Sequence, residues 1–200
     1  MDCISRDKIK KLEELIGEYR FNHSLGVMET AERFCKALGE NPDKGKIAGL
    51  FHDCGKFLDK KMAFEFIKDN NLVYPEEYLE NFQLLHPHLG ADVARIVFDI
   101  NDDYILDSIR YHTTLRENPS LLDKIIFITD AIEPGRDFEG VENLRDLANK
   151  NIDEAILFSL DDTIKALINK GKYLGIDTIK ARNYFLNIVE KWNWFFDLLA

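Results

Sequence analysis

The sequence has 200 residues, of which 46% are hydrophobic and 31% are charged, and its net charge at neutral pH is −10. A chain of this size can bury one sizeable core, and it contains no apolar run of about eighteen residues that would predict a membrane span. The acidic balance argues against a general nucleic-acid binder and against a protein that binds anionic membranes. An acidic protein that handles an anionic substrate needs local positive charge, which bound metal ions supply most economically.

The predicted elements are helices almost throughout, because apolar residues recur at helical spacing and period-two alternation is absent. In chain order the predicted helices cover residues 5–18, 22–38, 42–53, 59–70, 75–85, 87–98, 102–113, 120–132, 141–149, 152–169 and 178–199. Asn41 before Pro42 and Ser120 after Pro119 are typical of helix starts. Pro87 is likewise expected at the start of its helix. The pattern predicts an all-α fold.

Residues 47–56, IAGLFHDCGK, place an imidazole, a carboxylate and a lysine at the end of an apolar helix. Neighbouring helical positions point about 100° apart, so packing alone does not place both His52 and Asp53 on the core face. Both side chains can reach a point beyond the helix end, where Gly55 breaks the pattern. For an isolated pair, a half-exposed histidine beside a solvated aspartate is the commoner case.

Five ligand-type residues, His52 among them, share helical faces with core residues: His23, His52, His86, His112 and Asp130. One such residue is usually a satisfied core group, but a buried aspartate needs a cation or several donors. With Asp53 the set comprises four histidines and two aspartates. Six ligands are too many for one catalytic zinc and suit two metal ions with a bridging carboxylate. Imidazole and carboxylate ligands suit iron, manganese or zinc.

The pattern H…HD…H…H…D at these positions resembles that of the HD-domain phosphohydrolases. Within that superfamily the chain resembles the symmetrical bis(5′-nucleosyl)-tetraphosphatases over about residues 8–170, through the segments RFNHSLGV, AGLFHDCGK, HPHLGA, IRYHTT and DAIEPGRDF. The resemblance implies an HD-type helical bundle, and we predict one domain over residues 1–200 with a C-terminal helical extension at about 178–199. Pro87 and Leu115 stand where the family usually has glycine, which bears on substrate preference more than on the metal centre.

The resemblance further implies hydrolysis of diadenosine tetraphosphate to two ADP at a dinuclear centre, most simply of iron. Two metal ions would lower the pKa of a bridging water and hold the phosphate oxygens. The catalytic candidates are Asp53, Lys56 and Arg136, of which the two cations would also bind phosphate.

Further substrate-binding candidates are Arg20, Thr113 and Thr114. The structural alternatives are a surface position for Lys56, an ion pair of Arg136 with Glu133 or Asp137, and backbone capping by the threonines. His88 is expected on the solvent side of its helix.

Other functions stay open at this stage. An HD phosphohydrolase could act on a guanosine alarmone or a cyclic dinucleotide, and a nucleotide sensor would bind without turnover. We expect a dinucleoside polyphosphate or another nucleotide as ligand, with no nucleic-acid or membrane partner.

The unpaired Cys3, Cys35 and Cys54 and a polar N-terminus without a secretory h-region favour a cytoplasmic location. Aromatic residues in the last predicted helix indicate core packing or self-association, so a homodimer stays open; they are Trp192, Trp194, Phe195 and Phe196.

Overall fold

The computed structural model describes residues 3–199, and side chains are described up to residue 189. The helices of this range are α1 Arg6–Leu38, α2 Pro42–Phe51, α3 Lys60–Asp69, α4 Glu76–Glu80, α5 Phe82–Phe98, α6 Asp103–Arg110, α7 Leu121–Ile132, α8 Val141–Lys150, α9 Ile152–Asn169 and α10 Ile176–Leu199. No strand occurs among these described residues. The predicted all-α fold is confirmed.

Side-chain caps begin the helices where local sequence signals place them. Asn41 accepts hydrogen bonds from the backbone N–H groups of Asp43 and Lys44, directly before Pro42 at the start of α2. Ser120 forms a reciprocal capping box with Asp123 at the start of α7. These caps satisfy N–H groups that have no partner within the helix, so both predicted starts are confirmed.

Two boundaries differ from the prediction. The break predicted between the first two helices at residues 19–21 lies instead at Gly17 within α1, where φ is +76°. Pro87 lies well inside α5 rather than at its start, so that prediction was wrong. Proline removes one helical hydrogen bond, but Leu85 and Leu89 on either side are fully buried, and this packing keeps the helix continuous.

Helix α7 lies at the centre of the bundle and contacts α1, α2, α6, α8 and α9. Its side chains Ile125, Ile126 and Ile128 are fully buried in the hydrophobic core. A helix that is apolar on nearly every side must be covered on nearly every side, which explains its central position. Asp130, near its C-terminal end, is thereby brought among the surrounding helices.

Glycines bring the backbones around the His52-Asp53 doublet close together. A Cβ atom at Gly49 would lie 2.9 Å from the Cα of Met28, so α2 can approach α1 only without a side chain there. A Cβ atom at Gly55 would lie 2.9 Å from the Cα of Gly90 in α5. These two close approaches hold the end of α2 between α1 and α5.

No helix in the described part of the chain combines the length and the apolar character that a membrane crossing requires. The three cysteines all lie in that part, and none of them forms a disulfide. The predictions for Trp192, Trp194, Phe195 and Phe196 concern side chains outside the described residues.

Candidate metal centre

Two trios of ligand-type residues meet where several helices converge. His23 projects from α1, His52 is the C-terminal cap of α2 and Asp53 follows it. His112 lies just beyond the end of α6, and Asp130 belongs to α7. The trios are His23, His52 and Asp130, and His52, Asp53 and His112, each with its ligand atoms within 4.8 Å of one another.

In the first trio, two ring nitrogens and a carboxylate oxygen lie close together. His23 Nε2 lies 3.2 Å from His52 Nε2 and 3.0 Å from Asp130 Oδ1. His52 Nδ1 donates to the carbonyl of Gly49 at 2.8 Å, which leaves Nε2 of the neutral ring as an acceptor. Lone pairs that converge in this way suit a cation, and a backbone partner on the far ring nitrogen is usual for a metal-binding histidine.

Glu133 orients His23 and was missed as a functional residue by sequence reasoning. Its Oε1 accepts from His23 Nδ1 at 3.1 Å, and its Oε2 accepts from the N–H of Gly135 at 2.6 Å. A Cβ atom at Gly26 or at Gly135 would collide with this carboxylate. Glu133 is only 4% exposed. A buried acid immediately after an apolar helix was the available signal, but its partner lies 110 positions away in sequence.

The second trio contains two buried atoms that have no hydrogen-bond partner among the described residues. They are His112 Nε2 and Asp53 Oδ1, which lie 3.4 Å apart. His112 Nδ1 donates to the carbonyl of Ile109 at 2.7 Å, so its Nε2 is an acceptor when the ring is neutral. Two acceptors facing each other inside a protein are costly unless a cation joins them, and the residues therefore fit a metal ion.

His86 lies beside the trios rather than within them. The centroid of its ring is 5.3 Å from that of His112, and its Nε2 is 3.3 Å from Thr113 Oγ1. Burial and the neighbouring His112 lower the pKa of His86 to about 3, so the ring is neutral near pH 7. A neutral ring is the form that binds a metal ion.

The pKa shifts of His52, Asp53 and Asp130 also favour cation binding, whereas that of His23 opposes it. Burial lowers the pKa of His52. Burial alone would raise the pKa values of Asp53 and Asp130, but neighbouring histidines keep both below their usual range. For His23, burial opposes protonation, yet the carboxylates of Asp130 and Glu133 raise its pKa above 6.5. The carboxylates are thus ionised at neutral pH, as ligands must be.

Two cationic side chains pair with the aspartates of the centre. Lys56 Nζ lies 2.9 Å from Asp53 Oδ2. Arg136 forms an ion pair with the carboxylate of Asp130 and donates through Nε to the Asp130 carbonyl at 2.8 Å. The main partner of Arg136 is therefore Asp130 and not Asp137, while Glu133 Oε1 lies 4.0 Å from its Nε.

A cavity of about 900 Å³ opens beside the first trio. Arg20, Lys56 and Arg136 contribute to its wall, and Arg20 also donates to the carbonyl of Lys56 at 2.9 Å. Thr113 and Thr114 instead line a separate cavity of about 500 Å³. The three cationic candidates therefore line one cavity, and the two threonines line a different one.

The structure also bears on the sequence-based expectations for His88 and Leu115. His88 is 8% exposed and stacks on Tyr78 with ring centroids 4.2 Å apart, so its predicted solvent-side position was wrong. Leu115 has φ of +57°, a left-handed conformation that glycine adopts most easily. Its side chain is fully buried in the core. The backbone conformation at position 115 therefore favours the glycine that is usual in the family the sequence resembles, and this chain has a leucine there instead.

Together, the all-α bundle and the convergent imidazole and carboxylate groups define a helical domain with a candidate metal centre. The HD domain family model matches residues 20–135, and the chain belongs to this family. The symmetrical bis(5′-nucleosyl)-tetraphosphatase of Halalkalibacterium halodurans is 40% identical over 84% of this chain and 90% of its own length. The protein of that name from Bacillus subtilis is 33% identical over 88% and 94%, respectively.

A solved structure is similar along nearly the whole chain. It is described as a predicted HD superfamily hydrolase involved in NAD metabolism from Clostridium acetobutylicum. The two structures match with a TM-score of 0.86 at 44% sequence identity, over 92% of this chain and 97% of the other. This likeness supports the HD-type helical bundle implied by the sequence.

Proposed function

We propose that this protein is a metal-dependent hydrolase that cleaves diadenosine tetraphosphate symmetrically into two ADP. The observation that carries the proposal is the convergence of imidazole nitrogens and ionised carboxylates beside a cavity whose lining includes Arg20, Lys56 and Arg136. The names of relatives that span most of the chain support the substrate.

The proposed centre would hold two metal ions, and Asp53 would be a ligand common to both. Asp53 Oδ2 lies 3.6 Å from His52 Nε2, while its Oδ1 lies 3.4 Å from His112 Nε2, so each carboxylate oxygen faces a different histidine. His52 has one ring nitrogen left for a metal ion and would share it with His23 and Asp130. His112 would bind the second ion, with the neighbouring His86 as the remaining ligand. Iron is our first choice, and manganese and zinc suit the same donors.

When bound, such ions polarise phosphate oxygens and acidify a water molecule that attacks phosphorus. The surrounding residues supply position and charge, which are the main needs of phosphoryl transfer. Lys56 and Arg136 each lie against a carboxylate of the centre, and both would bind phosphate oxygens of a substrate held there. Arg20 would bind a more distant phosphate.

Thr113 and Thr114 have supporting positions in this scheme. Thr113 Oγ1 lies 3.3 Å from Nε2 of His86, so it is close enough to the proposed centre for its predicted contact with substrate. The Thr114 hydroxyl donates to the carbonyl of Leu115 at 3.0 Å, as the capping alternative expected. A substrate contact by either residue remains part of the proposal.

A cytoplasmic location, a single domain and a small-molecule ligand complete the proposal. The free cysteines agree with a reducing compartment. The net charge of −10 argues against nucleic-acid and anionic-membrane partners.

Product analysis under anaerobic conditions tests the activity. The protein is loaded with iron, manganese or zinc and given diadenosine tetraphosphate, and nucleotides are separated by anion exchange. We expect ADP as the sole product and loss of turnover in Asp53→Ala. Formation of ATP and AMP would contradict symmetrical cleavage. Metal-bound protein that turns over a guanosine alarmone or a cyclic dinucleotide instead would contradict the proposed substrate.

A further inference from the structure

Two exposed aromatic rings line the cavity beside the candidate metal centre. Tyr19 is 89% exposed and Phe138 is 46% exposed, and both belong to the wall of the 900 Å³ cavity. A tyrosine this exposed contributes little to core packing, so burial does not explain its position. Apolar rings left open at a cavity are typical of ligand contacts.

Each ring is attached to a backbone segment that also carries a residue of the candidate site. Tyr19 precedes His23 by four residues on α1, so the two share a helical side about 6 Å apart along the axis. Phe138 follows Arg136 by two residues in the loop between α7 and α8. Arg145 holds this loop by donating to the carbonyls of Glu133 and Arg136 at 2.9 and 2.8 Å.

The cavity combines these rings with three cationic side chains, which stand among the acidic Glu29, Asp53, Glu133 and Asp137. Arg20, Lys56 and Arg136 line the same cavity, in a chain whose overall charge is −10. The volume of about 900 Å³ lies in the range of cavities that hold whole small-molecule ligands, so it exceeds what a lone phosphate needs. A ligand that joins an aromatic ring to several phosphates matches both features.

We propose that Tyr19 and Phe138 form a nucleobase subsite, where the base of one ADP half stacks while its phosphates extend toward Lys56 and Arg136. This inference rests on the proposed function, because it assigns part of the same substrate. Stacking on an aromatic ring is available to every base, so the subsite distinguishes poorly between adenine and guanine.

Binding measurements on the Mn(II)-loaded protein test the subsite without relying on turnover. The probes are ADP and pyrophosphate, measured by isothermal titration calorimetry on wild type, Tyr19→Ala and Phe138→Ala. We expect each variant to bind ADP about 5- to 100-fold more weakly, as loss of one stacking contact implies, and to bind pyrophosphate within about twofold of wild type. Tyr19→Phe should keep the affinity for ADP.

The matched control is Phe158→Ala, which removes a 53% exposed ring from α9 outside this cavity. It should leave both affinities unchanged. Unaltered ADP binding in Tyr19→Ala and Phe138→Ala would overturn the subsite. An equal loss for ADP and pyrophosphate would also overturn it, because the rings would then act on the centre as a whole.

Kinetics separate this inference from the proposed function. If the protein cleaves diadenosine tetraphosphate, the two alanine variants should raise KM while kcat stays near its wild-type value. Normal KM values in both variants would contradict the subsite and leave the proposed activity intact. Ring-dependent ADP binding without cleavage of diadenosine tetraphosphate would contradict the activity and support the subsite.

Discussion

Replacing Glu133 with glutamine tests the hydrogen bond that orients His23 toward the metal centre. The carboxylate uses one oxygen for His23 Nδ1 and the other for the N–H of Gly135. Glutamine has only one oxygen, so one of these two donors must face an amide NH₂ group in a site that is 4% exposed. Loss of a hydrogen-bond partner of this kind typically weakens metal binding about 10- to 100-fold, or about 1.4–2.7 kcal/mol.

Metal affinity is measured by competition with a chromophoric chelator at pH 8. The pH matters because Glu133 contributes to the raised pKa of His23. Its removal lowers that pKa and weakens proton competition, which would partly mask the loss at lower pH. Glu65→Gln is the matched control, since Glu65 is an exposed residue of α3 whose ion pair with Lys61 spans 3.9 Å.

If Glu133→Gln binds two metal ions with wild-type affinity, the proposed orienting role of Glu133 is refuted. Thermal unfolding of the metal-free variant provides the complementary measurement. A large loss of stability without a change in metal affinity would assign Glu133 to the fold alone.

Three further predictions concern stability. Leu115→Gly should be less stable than wild type, because a fully buried leucine side chain is lost. It should nevertheless be about 1 kcal/mol more stable than Leu115→Ala, because glycine tolerates the left-handed φ of +57°. The reverse order of the two variants in urea denaturation would contradict this prediction. In metal-free protein, burial lowers the pKa of His86 to about 3 and that of His88 to about 4. Between about pH 4 and 6.5 the unfolded chain therefore binds more protons than the folded protein, so acidification should lower the free energy of unfolding by up to about 1.4 kcal/mol per pH unit for each ring. The raised pKa of His23 partly offsets this loss. A free energy of unfolding that does not change with pH in chemical denaturation would refute the prediction. Adding Mn(II) should raise the melting temperature and a chelator should reverse the rise, since a ligand of the folded state stabilises it; an unchanged melting temperature would argue against metal binding.

The fold was predictable where its signals are local. Caps such as Asn41 and Ser120 act within one helical turn, so the sequence alone places the starts of α2 and α7. Pro87 and His88 were misplaced because tertiary packing decides both. Buried leucines on either side of Pro87 keep α5 continuous, and Tyr78 of another helix covers the ring of His88.

The candidate site was predictable where ligand-type residues stand on otherwise apolar faces. The structure brings five of the six predicted ligands into two trios and leaves His86 beside them. Their role as metal ligands remains a prediction. Glu133 was not predictable as a partner of His23, because that contact joins α1 to the loop after α7, and neither local spacing nor charge specifies it.

The most direct test of the central claim is anomalous diffraction from crystals of the manganese- or iron-loaded protein. We expect two peaks about 3.5–4 Å apart. One should lie among His23, His52 and Asp130, the other beside His112, and an oxygen of Asp53 should contact each. A single peak, or peaks away from these residues, would contradict the dinuclear centre.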